Sequence, residues 1–276
     1  MSDVTLTASL RSNLLSLQGT QRLLDQTSLR LATGKKVNSA LDNAGAFFAA
    51  QSVSFRASDL TKRLDGIGQA IQVLKAADEG IKSISASLEQ LRSIAQEALD
   101  QSNANAGGAP ADQASLTADA VSVIAQIESY SNDAGYRGTN LLDSGDLTVI
   151  FNEDGSDTLA INGVDYDDVD DDLNILGVPV FDTAVNIQAR IDEIDAALDL
   201  VRAQARTFGN NLTTIQTRED FTKNLINVLK EGSDKLTLAD QNEEGAKLLS
   251  LQTAQQLGVT SLSLASQAQQ SVLRLF

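Results

Sequence analysis

The sequence predicts a mainly α-helical protein, with long coiled-coil helices drawn from both chain ends and a small β-hairpin inserted between them. Three observations carry this. Apolar residues recur at alternating steps of three and four along most of the 276 residues, the spacing that lays one stripe along a helix. Only two prolines, Pro110 and Pro179, punctuate the chain, so long stretches keep every backbone donor a helix needs. In the middle the period switches from helical to alternating.

The elements follow in order. Positions 6, 10, 14, 17, 21, 24, 28 and 31 are all Leu except Gln21 and Ser28, one amphipathic helix. Next comes a seam of Ile67, Ala70, Leu74, Ala77, Ile81, Ile84, Leu88, Leu91, Ala95 and Ala98. A period of 3.5 held over about four heptads specifies left-handed coiled-coil packing. A shorter helix after Pro110 lines up Leu116, Ala120, Val123 and Ile127. Two β-rich runs, Leu147–Asn152 and Thr158–Val164, flank the turn-forming "EDGS". They read as a small exposed insertion that rests on the helices, because a lone hairpin is unstable in water. A turn at Asn162-Gly163, the acidic "DDVDDD" and an apolar run around Pro179 complete it. A second long seam runs through Ile187, Ile191, Ile194, Leu198, Val201, Ala205, Phe208, Leu212 and Ile215. The last helix carries Leu251, Ala254, Gly258, Leu262, Ala265, Gln269, Val272 and Phe276 on one stripe.

Composition narrows the function. The net charge of −16 argues against nucleic-acid and anionic-membrane partners. Residues 138–189 hold twelve acidic side chains and no Lys or Arg, leaving −16 + 12 = −4 for the rest. Cys and His are absent, which removes disulfides, thiolate nucleophiles, imidazole bases and the usual zinc sites. The start, "MSDVTLTASLRSN", lacks a basic n-region and an apolar h-region, so no secretory signal is read there. Residues 248–273 carry no charge at all, yet half of them are Ser, Thr or Gln, whereas a spanning helix is predominantly apolar. "ATGKKVNSA" lacks the earlier glycine of a phosphate loop, and "DGIGQAI" sits in a helical pattern with no strand before it. The acidic run fails as a calcium loop too. With Asp168, Asp170 and Asp172 as its first ligands, Leu173 stands where glycine belongs and Pro179 where the closing glutamate belongs. The "NLT" at Asn211 falls on a heptad helix and is discounted as a glycosylation site. No catalytic, metal or cofactor residue is assigned, and the chain reads as a non-enzyme.

A self-contained bundle accounts for residues 60–230 but not for the terminal stripes. The two terminal helices could pair, but the second has no charged outer face, so the reading assigns their burial to contacts between molecules. The assembly surface is then Leu6, Leu10, Leu14, Leu17, Leu24, Leu31, Leu251, Ala254, Leu262, Ala265, Val272, Leu275 and Phe276.

The stretch "RLATGKKVNSALDNAGAFFAAQ", Arg30 to Gln51, resembles the N-terminal signature of bacterial flagellins. "GIGQAIQVLKAADEGIKSISASLEQLRSIAQEAL" is similar to that family's long N-terminal helix, and "SLASQAQQSVLRLF" to its C-terminal helix. The related hook–filament junction protein shares this terminal architecture and stands as the alternative. The resemblance implies an inner helical domain of residues 1–38 and 236–276 lining a filament core. It implies a rod-like middle domain of 39–142 and 185–235, and a reduced outer domain of 143–184. It also implies a homopolymer outside the cell that serves swimming, and export through the flagellar type III apparatus. Implied partners are an export chaperone and hook-associated junction and cap proteins. Many flagellins carry an Arg-x-Arg-Glu surface read by an innate toll-like receptor. Here Gln90 replaces the first Arg, Arg92 is kept and Ser93 replaces the Glu, which argues against receptor recognition.

Overall fold

The computed structural model describes residues 8–166, 173, 175 and 181–273, without the side chains of Ser9, Gln269, Val272 and Leu273. Its elements are α1 (Ala8–Thr33), α2 (Ala44–Ala104), α3 (Gln113–Asp133), β1 (Leu147–Ile150), β2 (Thr158–Ile161), α4 (Ala184–Thr237) and α5 (Gln241–Leu273). The chain divides into two compact units, Ser58–Ile226 and the pairing of Met1–Ala57 with Asn227–Phe276. Helices α2 and α4 contribute to both. Residues 143–184 fall within the first-named unit.

In that unit, residues 58–226, all ten seam positions of α2 from Ile67 to Ala98 are buried. So are Leu116, Ala120, Val123 and Ile127 of α3. On α4, Ile187, Ile191, Ile194, Leu198, Val201, Phe208 and Ile215 join the same cluster, with Ala205 and Leu212 partly buried against it. The long helices run antiparallel where ion pairs mark their register: Arg92 to Asp195 at 2.6 Å and Arg202 to Glu89 at 3.5 Å. These exposed pairs add little energy, and the seam supplies the stability. After α3 the chain turns back through Asn140. Its amide donates to the Ser131 and Asn132 carbonyls at 2.7 and 3.1 Å, satisfying acceptors that the helix end leaves open. This seats Leu141 and Leu142 in the core.

β1 and β2 pair antiparallel, with Leu147 opposite Ile161 and Ile150 opposite Thr158. The hairpin rests on the helices as its sequence required, and it is less exposed than expected: Thr148, Thr158 and Ala160 face outward while the other face is buried. Val149, Phe151, Ile161 and Tyr166 are buried in the same cluster as the helical seams. Alternation turns one face of the two strands inward, and the helices supply the cover a lone hairpin lacks. Arg218 of α4 lies 5.2 Å from the centre of the Phe151 ring and pairs with Asp157 at 3.1 Å, holding the turn down. The acidic positions Asp167, Asp168, Asp170, Asp171 and Asp172, and Pro179, lie outside the described residues.

In the other unit, α1 and α5 pack side by side. The chain leaves α1 through Gly34, at φ +69, and the Gly34 carbonyl accepts from Ala239 N–H at 2.9 Å. Lys36 N–H donates to the Thr237 carbonyl at 2.7 Å. The turn into α2 closes on Asp42, whose carboxylate accepts from the Asn38 and Ser39 backbone N–H groups at 2.9 and 3.0 Å. Those donors hold its carboxyl below the usual carboxylate range. Asp240 caps α5, accepting from Asn242 and Glu243 N–H at 2.9 and 3.2 Å.

Two outcomes test this packing. A Cβ on Gly80 would lie 2.6 Å from Leu142 Cδ1 and 2.7 Å from Ala134 Cβ, while one on Gly68 would meet nothing within 4 Å. Gly80→Ala should therefore destabilise by about 1–3 kcal/mol, and Gly68→Ala should stabilise by up to about 1 kcal/mol through helix propensity. Denaturant melts of the two variants should shift in opposite directions. For the Asp42 turn, the folded pKa lies below the unfolded one. Its contribution is full above about pH 4 and is lost as pH falls through the lowered folded value. Amide exchange at Asn38 and Ser39 should lose its protection in that acid range, and Asp42→Asn should remove this pH dependence.

Candidate functional site

The α1–α5 pair is where the sequence placed its assembly residues. The helices run antiparallel, as three contacts show. Leu17 faces Gly258, where an added Cβ would lie 3.3 Å from its Cδ1. Gln255 Nε2 donates to Gln21 Oε1 at 2.6 Å. Arg30 Nη1 pairs with Glu244 Oε1 at 3.0 Å. Gln21, a polar break in the leucine stripe, thus bonds across the seam and helps fix its register, as a single polar core position does in coiled coils.

The predicted residues divide accordingly. Leu10 is buried, and Leu17, Leu24, Leu31, Leu251, Leu262 and Ala265 are partly buried. Leu14 and Ala254 are exposed. Leu6, Leu275, Phe276 and the Val272 side chain lie outside the described residues. The seam stripe of each helix therefore turns toward its partner within the chain. A second set of apolar residues, passed over by the seam count, points outward. Leu15 is 67% exposed and Leu23 46% on α1, while Leu249 and Leu257 are each 67% and Leu264 62% exposed on α5. On α5 these three recur at steps of eight and seven, so they share one face. That periodicity was readable in the sequence, but a count following only the strongest stripe misses it.

One ion pair fastens the two helices near the α1 exit. The Arg30 and Glu244 side chains keep only 23% and 10% of their surface in water. Arg30 Nε and Glu244 Oε2 are buried without a hydrogen-bond partner, so the pair engages one tooth of a fork that offers two.

In the other unit, Gln90, Arg92 and Ser93 are exposed on α2. Arg92 is engaged by α4, its Nε and Nη2 donating to the two Asp195 carboxylate oxygens at 2.6 and 3.3 Å. Among the described residues, no helix is long and apolar enough to cross a membrane.

Comparison with known proteins fits this architecture. Residues 5–146 match the bacterial flagellin N-terminal helical region, and residues 191–276 the bacterial flagellin C-terminal helical region. The chain is 31% identical over 273 residues to flagellin FljM of Caulobacter vibrioides, covering 95% of this chain and 93% of that one. It is 27% identical over 287 residues to a flagellin of Brucella melitensis, covering 100% of this chain and 99% of the relative. Among solved structures, a protein described as flagellar hook-associated, from Vibrio parahaemolyticus, aligns with a TM-score of 0.57 at 14% identity. That alignment covers 71% of this chain and 100% of the other, a likeness of fold alone. With both helical regions matched in order and a relative of 31% identity along nearly the whole length, the chain belongs to the bacterial flagellins, the structural subunits of the flagellar filament.

Proposed function

We propose that this chain builds its filament through the outward apolar faces of α1 and α5, with the seam between the two helices held inside each subunit. One observation carries this: large apolar side chains stand exposed on both helices, and residues 248–273 contain no charge to keep such a surface in water. A Leu side chain gains about 1.5–3 kcal/mol when fully buried. Several such side chains, repeated at every contact, can offset the entropy lost on association. Contacts between unlike faces leave each new subunit with a free face, so growth continues without closing.

Membership of the family supports the rest. Export through the flagellar type III apparatus, an export chaperone, a cap at the growing tip, a junction to the hook and a place outside the cell are proposed on that ground. The filament subunit is preferred to the junction protein because the relatives matched from end to end are named flagellins. We also propose poor recognition by the flagellin-sensing toll-like receptor. Gln90 offers no guanidinium, Ser93 no carboxylate, and Arg92 is already engaged by Asp195.

Two experiments follow. Leu257→Ser combined with Leu264→Ser should raise the critical concentration for polymerisation more than a hundredfold, from a loss of about 3 kcal/mol per contact. The monomer's circular dichroism should not change. Leu17→Ser, inside the pair, should instead lower monomer helicity. Filaments of normal length from the double variant, scored by negative-stain microscopy, would show that the outer leucines are not the assembly surface. In receptor-reporter cells, the native monomer should be a weak agonist. Restoring Gln90→Arg with Ser93→Glu should improve potency more than tenfold, since two charge-assisted contacts are worth on the order of 2 kcal/mol or more.

A further inference from the structure

We propose that the trough lined by α2, β1 and the turn at 136–139 is a binding site for a phosphate group, carried either by free diphosphate or by a small phosphate ester. The site lies wholly within the unit of 58–226 and does not depend on polymerisation.

Charge points to the class of ligand. The trough holds about 410 Å³, and three of its lining side chains are cations: Lys62, Arg63 and Arg137. No Asp or Glu lines it, although the chain carries 37 acidic residues against 21 basic ones. Both arginines are held by neutral oxygens. Arg137 Nη1 donates to Gln69 Oε1 at 3.0 Å, an oxygen that also accepts from the Tyr136 hydroxyl at 3.1 Å. Arg63 Nη2 reaches the Glu153 backbone carbonyl at 3.5 Å. Lys62 pairs with Asp59 at 3.0 Å, but the two side chains are 74% and 52% exposed. Such a pair holds little energy and yields to a stronger acceptor. Three positive charges thus share one concave space whose lining supplies no counter-ion.

The backbone around the trough adds two further observations. Phe151 N–H donates to the Asp157 carbonyl at 2.9 Å, and bonded and non-bonded positions alternate along an antiparallel pair. Thr148 and Ile150, opposite Ala160 and Thr158, therefore turn their N–H groups away from β2. Both residues line the trough. Arg137 sits in a tight turn in which Tyr136 N–H donates to the Thr139 carbonyl at 2.9 Å and Thr139 N–H returns to Tyr136 at 3.1 Å. The two central residues, Arg137 and Gly138, stand at φ +51 and +85. Such a turn favours Asn, Asp or Gly at both places, so a long cation is held there against the backbone's preference. Strain of this kind is a pointer to function.

Phosphate matches this donor set better than carboxylate does. A carboxylate is planar, carries one charge and is satisfied by one guanidinium fork. A phosphate carries close to two charges on three outward oxygens, so it can engage two guanidinium groups and an ammonium together. The trough is wider than one phosphate, and Ala70 and Val73 give it an apolar wall. A second phosphate fills that space by reaching another cation, whereas the carbon skeleton of an ester fills it by resting on the wall.

The probes are pyrophosphate and glucose 6-phosphate, each titrated into the monomer at physiological ionic strength. The amide resonances of Thr148 and Ile150 should shift and saturate with a Kd below about 1 mM. Sodium chloride at matched ionic strength should give only a linear drift, because it screens without occupying the site. Tighter binding of pyrophosphate assigns the site to free diphosphate, and tighter binding of glucose 6-phosphate assigns it to an ester. Arg137→Gly should weaken binding at least about tenfold. Its denaturant midpoint should stay the same or rise, since glycine accepts the positive φ. Lys62→Gln combined with Arg63→Gln should cause a similar loss and leaves the turn untouched, so it decides the matter if Arg137→Gly fails to fold. Arg206→Gln, at an exposed cation of α4 outside the trough, should leave the Kd unchanged. The proposal is overturned if neither probe saturates by about 10 mM, or if folded Arg137→Gly binds like the native chain. Equal weakening by Arg206→Gln would overturn it too, by reducing the effect to general charge screening.

Discussion

Ten side chains from Ile67 to Ala98 line one side of α2, and none keeps more than 3% of its surface in water. Water must be excluded along the whole of that stripe, and the rest of the unit is arranged to do it. A single facing helix covers a seam only as wide as its own stripe. α4 supplies one cover with Ile187 to Ile215, and α3 a second with Leu116 to Ile127. The hairpin closes the remainder with Val149, Phe151 and Ile161. Gly80 shows how close the fit is: a methyl group there would strike both Leu142 and Ala134. The return loop through Asn140 sits as it does because α2 makes room for it.

The α1–α5 pair applies the same packing with weaker material. Its seam includes Gln21, Gly258 and Ala254 where the longer seams carry Ile and Leu. Small residues let two helices approach, but they bury less apolar area each, and most of the leucines in this seam stay only partly covered. A helix pair in this state owes part of its stability to whatever covers its outside. The exposed leucines of both helices lie on that uncovered outside. The pair thus carries two apolar stripes, one spent on its partner within the chain and one left uncovered.

Much of this was legible in the chain. The α2 seam appears in the sequence as ten unbroken positions, because a long buried helix leaves no freedom of period. The same holds for α3 and α4, and both strands sit inside their expected runs. What the sequence could not convey is which way a short amphipathic element faces. That the hairpin must rest on helices followed from its instability alone, but how deeply Val149 and Phe151 sink is settled only by the helix surface beneath them. The Arg30–Glu244 pair joins residues 214 apart, a separation at which charge patterning gives no signal. The outward leucines were missed for another reason. On a helix with two apolar stripes, the stronger one masks the weaker, and only the antiparallel partner shows which stripe is spent inside the chain.

Charge completes the division of labour. Residues 138–189 carry −12 of the net −16 and belong to the unit of 58–226. Residues 248–273, in the other unit, carry none. A charge placed on α5 would keep the monomer soluble but would have to be desolvated at each subunit contact, at a cost of several kcal/mol per unpaired ion. Carboxylates placed elsewhere in the sequence keep the chain hydrated without adding charge to α5. Solubility and assembly make opposite demands on a surface. This sequence keeps its acidic excess and its uncharged segment in separate parts of the chain.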